Sequence, residues 1–210
     1  MAPRPKNPPP DRRQEILEGA LQVFGRKGYA AATNADIARE AGVTPAALYY
    51  YFPSKQELFR AVITQRRSTL QVSLEQATQG LAGQPPEVVI PTLTRMMATF
   101  FTEEPTKMLL RIVLSEGPRD PEIVEAWQSY AIGPMAPMIF SYMQQQMEHG
   151  TIRSMDPRIV GLLLLAPNIF LVLIRDMLQL PLAEGLDSET FLAELNHTLL
   201  YGLTAKRETE

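Results

Sequence analysis

No cysteine occurs among the 210 residues. That removes disulfide frameworks, thiolate nucleophiles and cysteine-based metal sites together. Histidine is nearly as scarce: His149 and His197 are the only two, far apart and without a ligand-spaced partner. Neither a glycine-rich phosphate loop nor a G-x-S-x-G nucleophile elbow is present. No catalytic residue, metal or cofactor is therefore expected, and the chain reads as a binding protein rather than an enzyme. Strand patterning is missing too, since no window combines period-two alternation with β-branched density. The opening MAPRPKNPPP has prolines and basic residues but no apolar stretch. It is not expected to be a secretion signal, and a cytoplasmic location is expected.

The net charge of −3 argues against a protein that coats DNA along its whole surface, but the charge is unevenly placed. Residues 1–60 carry nine Lys/Arg against six Asp/Glu, and residues 61–210 carry eleven against seventeen. A basic head on an acidic body suits contact with nucleic acid through one end.

Residues 1–10 are too rich in proline to be helical and are expected to form a disordered arm. From Asp11 to Lys27, Ile16, Leu17, Ala20, Leu21 and Phe24 recur at helical spacing, and Gly28 supplies a left-handed cap. Thr33 with Asp36 forms a capping box for a helix over 34–41. Gly42 ends that helix. Thr44 and Pro45 start another as N-cap and first helical residue, with Leu48 and Phe52 on its buried side. Two short helices across a glycine turn make a helix-turn-helix, whose second helix enters the DNA major groove. Ser54-Lys55-Gln56-Glu57 reads as a full capping box opening a helix of about 40 Å that runs to about Gly80.

Beyond it, Pro85-Pro86, Glu104-Pro105, Asp120-Pro121, Asp156-Pro157 and Asp187-Ser188 each precede an apolar periodic run. The prediction is an all-α chain of about nine helices: an arm (1–10), a three-helix DNA-binding domain (11–56) and a helical effector-binding and dimerisation domain (57–210). Gly133-Pro134 and Pro137 should break the helix that begins near Pro121. The run 159–174 is apolar on all faces except Pro167 and Asn168. It falls short of the ~20 residues a membrane span needs and is bounded by Arg158, Arg175 and Asp176. Burial inside an oligomer is expected instead of a membrane, with a homodimer formed through about 157–180 and 188–204.

The residues of the second short helix define its chemistry. Three positions after Thr44 stands Ala47 rather than an acid, so that helix N-terminus is not closed by its own side chains and favours a phosphate. Lys55 opposes the dipole of its own helix and calls for an external anion. Pro45, Ala46 and Ala47 offer small apolar groups to thymine methyls but no donors to base edges. Tyr49, Tyr50 and Tyr51 point about 100° apart, so one faces inward and the others project hydroxyls. Base readout is sparse, and Asn34, DNA shape and the arm are expected to contribute specificity.

The segment TNADIAREAGVTPAALYYYFPSKQELF resembles the DNA-binding segment of the TetR family of bacterial regulators. The family pattern falls on Thr33, Ile37-Ala38, Ala41-Gly42-Val43, Thr44, Leu48 to Phe52, Lys55 and Glu57-Leu58, with Phe24, Gly28 and Tyr29 upstream. Ala46 departs from it, since many members carry Gly or a polar residue there. Past residue 60 the likeness is architectural only. The resemblance implies a homodimer on a palindromic double-stranded DNA operator, most often a repressor, released by a small apolar or amphipathic effector. An activator, or a protein–protein module without DNA binding, is the alternative. DNA contact is expected at Thr33, Asn34, Thr44, Pro45, Ala46, Ala47, Tyr49, Tyr50, Tyr51 and Lys55. For the effector, a Met- and aromatic-rich set stands out: Met97, Phe100, Phe101, Trp127, Tyr130, Met138 and Tyr142. Arg111 is a candidate buried anion partner, the alternative being a surface arginine or one paired with Glu116 or Asp120, and Asn168 is a weaker polar candidate.

Overall fold

The computed structural model describes residues 10–78, 80–81 and 83–203. The proline-rich arm expected over 1–10 lies outside the described residues except for the backbone of Pro10, and side chains 10–11, 67–78 and 203 lie outside them as well. The described residues are all-helical, with ten α-helices and no strand. They group into two compact units, one of residues up to 71 with 108–132 and one of residues 72–107 with 133 onward.

The first unit holds α1 (Pro10–Lys27), α2 (Asn34–Glu40), α3 (Pro45–Tyr51) and the start of α4 (Lys55–Thr78). It also takes in most of α6 (Glu104–Glu116) and all of α7 (Pro121–Trp127), which runs on into a π-helical turn at Gln128–Ile132. The expected apolar faces meet in its core: Ile16, Leu17, Ala20, Leu21, Phe24, Ile37, Leu48, Phe52, Leu58 and Val62 are all buried. Phe24, Tyr29 and Phe59 form a triangle of rings with centroids 5.3–5.9 Å apart. Gly28 closes α1 at φ +78°, a conformation that a Cβ would oppose.

The second unit is built on α5 (Pro86–Thr102), against which α9 (Pro157–Val172) and α10 (Ser188–Leu203) both pack, with α8 (Ala136–Glu148) on α9. Its caps follow the sequence signals. Asp156 accepts from the Arg158 N–H at 2.9 Å, and Asp187 from the Thr190 N–H at 2.8 Å. Buried Thr94 donates its hydroxyl to Asn196 Oδ1 at 2.7 Å, tying α5 to α10. The helix breaks between the π turn and α8, at Gly133-Pro134, and Pro137 stands in the first turn of α8.

Within the single chain, helix α9 is buried along one side. Val160, Leu164, Asn168, Leu171 and Val172 are buried, whereas Ile159, Leu162, Leu163 and Phe170 are exposed on the opposite side. With its π-helical extension, Pro157–Met177, it is the one helix among the described residues long and apolar enough to cross a membrane, by length and composition. The single chain thus leaves an apolar stripe open along its length.

Candidate nucleic-acid interface

The turn between α2 and α3 is closed by backbone hydrogen bonds. Val43 N–H donates to Ala38 O at 2.9 Å and Gly42 N–H to Arg39 O at 3.3 Å, the paired bonds of a Schellman ending with Gly42 at φ +62°. At the other end of α2, Thr33 Oγ accepts from the Asp36 N–H at 3.1 Å and donates to Asp36 Oδ2 at 2.8 Å. The predicted capping box is therefore formed, and it occupies the Thr33 hydroxyl. Asp36 also takes an ion pair from Lys27 Nζ at 2.8 Å and another from Arg39. Lys27 and Thr33 hold its carboxyl down at about 2, the Lys27 hydrogen bond being the largest cause and the Thr33 hydrogen bond the next. Arg26 pairs with Glu40 in parallel, so the end of α1 is bound to α2 by two ion pairs. By spacing alone, Arg26 and Lys27 suit only the negative end of their own helix. No local signal announces partners nine and fourteen residues away.

Helix α3 is seated by Leu48, fully buried, and by Phe52, over whose ring the Arg13 guanidinium lies at 5.3 Å. Everything else on it turns outward to some degree. Thr44, Pro45 and Ala46 are exposed and Ala47 is half-buried. Tyr49 and Tyr50 are exposed by 53% and 62%, while Tyr51 is half-buried against the Tyr50 and Phe52 rings. The inward-facing tyrosine of the three is thus Tyr51. Asn34 is half-buried, with its Oδ1 enclosed and unpaired.

Two points of the sequence reading need correction. Thr44 closes part of its own helix N-terminus, because its Oγ accepts from the Ala47 N–H at 3.1 Å. With Pro45 lacking an N–H, the Ala46 N–H is what remains for an outside anion. Lys55, expected to need an external anion, is satisfied internally: its Nζ donates to the carbonyls of Tyr29, Ala30 and Ala32 at 2.8, 3.2 and 3.2 Å. Three acceptors use all three ammonium hydrogens, and burial lowers the pKa of the group. Only the Ser54 half of the SKQE box is seen among the described hydrogen bonds, Ser54 Oγ accepting from the Glu57 N–H at 3.1 Å.

The match to known proteins covers both units. Residues 16–62 fit the model for bacterial regulatory proteins of the tetR family, and residues 89–199, just over half of the chain, fit the AefR-like transcriptional repressor C-terminal domain. The chain belongs to the TetR family. This TetR-family chain is 31% identical over 114 residues to the HTH-type transcriptional regulator AcrR of Shigella flexneri, covering 54% of the chain and 53% of that relative. It is 32% identical over 121 residues to BetI of Rhizobium meliloti, covering 58% and 51%. The chain thus spans about half the length of these curated relatives. Among solved structures, Bacillus subtilis FadR in complex with stearoyl-CoA shares the fold at TM-score 0.73 and 14% identity, over 90% of this chain and 98% of that one. Salmonella enterica GusR does so at 0.70 and 21%, over 94% and 98%.

The residues expected to line one effector pocket fall in both units of this TetR-family chain. Met97, Phe100, Phe101, Met138, Tyr142 and Asn168 belong to the second; Arg111, Trp127 and Tyr130 belong to the first. Met97, Phe100 and Phe101 are buried within α5, and the Trp127 and Tyr130 rings meet at 5.9 Å. Tyr142 donates its hydroxyl to the Gln84 carbonyl at 2.8 Å, and Met138 is half-buried. Arg111 is exposed, so it is not a buried anion partner. The second unit holds a cleft of about 250 Å³ where α5, α9 and α10 meet, and of the nine residues only Asn168 lines it. Its polar rim of Arg95, Arg175 and Ser188 went unrecognised, because it joins residues some ninety positions apart.

Proposed function

We propose that this protein is a DNA-binding transcriptional regulator, a homodimeric repressor released from a palindromic operator by a small apolar or amphipathic effector. The observation that carries this reading is the outer face of α3. Its buried side is anchored by Leu48 and Phe52, while Thr44, Pro45, Ala46, Tyr49 and Tyr50 stand open. Large aromatic hydroxyls left exposed on a rigidly seated short helix suit phosphate and groove contacts. Asn34, Ala47, Thr33 and Tyr51 flank that face; Lys55 supports it from behind.

The DNA-reading residues lie within 11–56, and the effector response belongs to the remainder of the chain. Two copies meet through the exposed stripe of α9 together with α10, roughly 157–180 and 188–204, which covers apolar surface without a membrane. Two heads reading successive major grooves would take half-sites ~34–36 Å apart. An effector that favours another spacing weakens DNA binding by a coupling energy of about 1–3 kcal/mol. The protein acts in the cytoplasm as a binder and not as a catalyst.

Selection of bound sequences from a random duplex pool tests the reading. It predicts a two-fold symmetric site whose affinity falls steeply with salt as phosphate counterions are released. Failure to enrich any sequence, or binding indifferent to salt, would remove the DNA-binding role and favour a protein–protein module.

A further inference from the structure

We infer that the cleft between α5, α9 and α10 is a binding site for a small amphipathic monocarboxylate. Apolar Leu171 and Leu192 line it, together with the charged residues Arg95, Arg175 and Glu189. Asn168 also lines it. That side chain is only 2% exposed and spends one Nδ2 hydrogen on the Leu164 carbonyl at 2.9 Å. A ligand in the cleft would meet the rest of that amide.

The guanidinium donors point to the charge of the ligand. Arg175 sits in a π-helical turn, Leu173–Met177, that extends α9, and such turns recur at functional sites. It gives two N–H groups to Asp176, at 2.7 and 3.3 Å, and one to Ser188. Two of its five donors are left. Arg95 gives one, to Glu189 at 3.0 Å. Donors therefore outnumber acceptors in the cleft, which suits two carboxylate oxygens at the rim with an apolar tail below.

Position adds a consequence. On the α9 wheel, Asn168, Leu171, Val172 and Arg175 cluster on one side, and Ile159 and Phe170 lie about 180° away. A carboxylate seated in the cleft would thus press on the helix whose other face is open for a second copy. That regulatory consequence rests on the regulator reading above; the binding itself does not.

Hexanoate titrated into the full chain, followed by NMR without DNA, tests the site against hexanamide as its neutral counterpart. Charge-assisted bonds are roughly twice as strong as neutral ones, so hexanoate should bind at least about tenfold more tightly. Shifts should centre on residues 95–102, 168–175 and 188–192. Arg95→Gln, at an exposed position, and Asn168→Leu, close to isosteric, should each raise the dissociation constant several-fold with the fold intact by circular dichroism. Absent binding, equal binding of the amide, or unchanged affinity in both variants overturns the site. Hexanoate binding by a protein that selects no DNA would leave the site standing and overturn the regulator reading instead.

Discussion

Lys55 lies 4.5 Å from the centroid of the Tyr29 ring and, with the same ammonium, donates to the Tyr29 carbonyl at 2.8 Å. One side chain thus grips both the ring and the backbone of a residue twenty-six positions earlier. Ala30 and Ala32 add their carbonyls, so the loop between α1 and α2 is folded around the first turn of α4. That loop fixes where α2 begins, and α2 fixes the turn into α3. Hydrogen bonds to a charged group contribute ~1.5–3 kcal/mol, so Lys55→Met should lower unfolding free energy by about 2 kcal/mol. Because the group neutralises no phosphate, the slope of operator affinity against salt should be unchanged. A slope reduced by about one would return Lys55 to the DNA surface.

Gly25 faces the side chain of Met108, and a Cβ built on Gly25 would force Met108 Sδ and its neighbouring atoms to shift. Glycine in a helix interior costs about 1 kcal/mol relative to alanine. Gly25→Ala should therefore stabilise a Met108→Ala background by about that amount and lose or reverse the gain in the parent. A double-mutant cycle by urea unfolding gives the coupling; an identical effect in both backgrounds would show that the two residues do not constrain each other.

Tyr49 and Tyr50 separate binding from folding. Alanine at either should change stability by no more than about 0.5 kcal/mol, since both project from the surface. Gel-shift affinity for a selected operator should nevertheless fall. Thr44→Ala should weaken affinity and also remove a helix cap, at about 1 kcal/mol. Full affinity in all three variants would mean that α3 presents another face to DNA.

Asp36 makes stability depend on acid. Its folded carboxyl titrates at about 2, below the ordinary 3.8. Between those values the unfolded chain binds more protons than the folded one, so stability is present above 3.8 and is lost as pH falls towards 2. Asp156, held down to about 2 by Arg158, contributes in the same window. Denaturant unfolding in steps from pH 5 to pH 2 should show a shallower decline for Asp36→Asn than for the parent. Parallel curves would mean that the Lys27 pairing does not survive in solution.

The stripe on α9 is tested by charge. Leu162 is exposed by 62% and Phe170 by 56%. Glutamate at both should convert a dimer to a monomer on sizing with light scattering, while the helical signal is retained. A mutant that stays dimeric would place the second copy elsewhere.

The residues of 11–60 announced most of the first unit because its signals are local. Periodic Ile16, Leu17, Ala20 and Leu21, the Thr33–Asp36 box, Gly42, and Thr44-Pro45 each act within four or five residues. Backbone geometry and burial at that range depend little on distant chain. Helix positions in the body were legible for the same reason, from their proline and aspartate starts. Tertiary structure decided how charges were spent. Lys55 turned to three carbonyls, Lys27 and Arg26 crossed to α2, and Arg175 met Ser188, all through contacts between elements that no spacing specifies. It also decided membership: residues 108–132 joined the first unit, because packing follows complementary surfaces and not order along the chain.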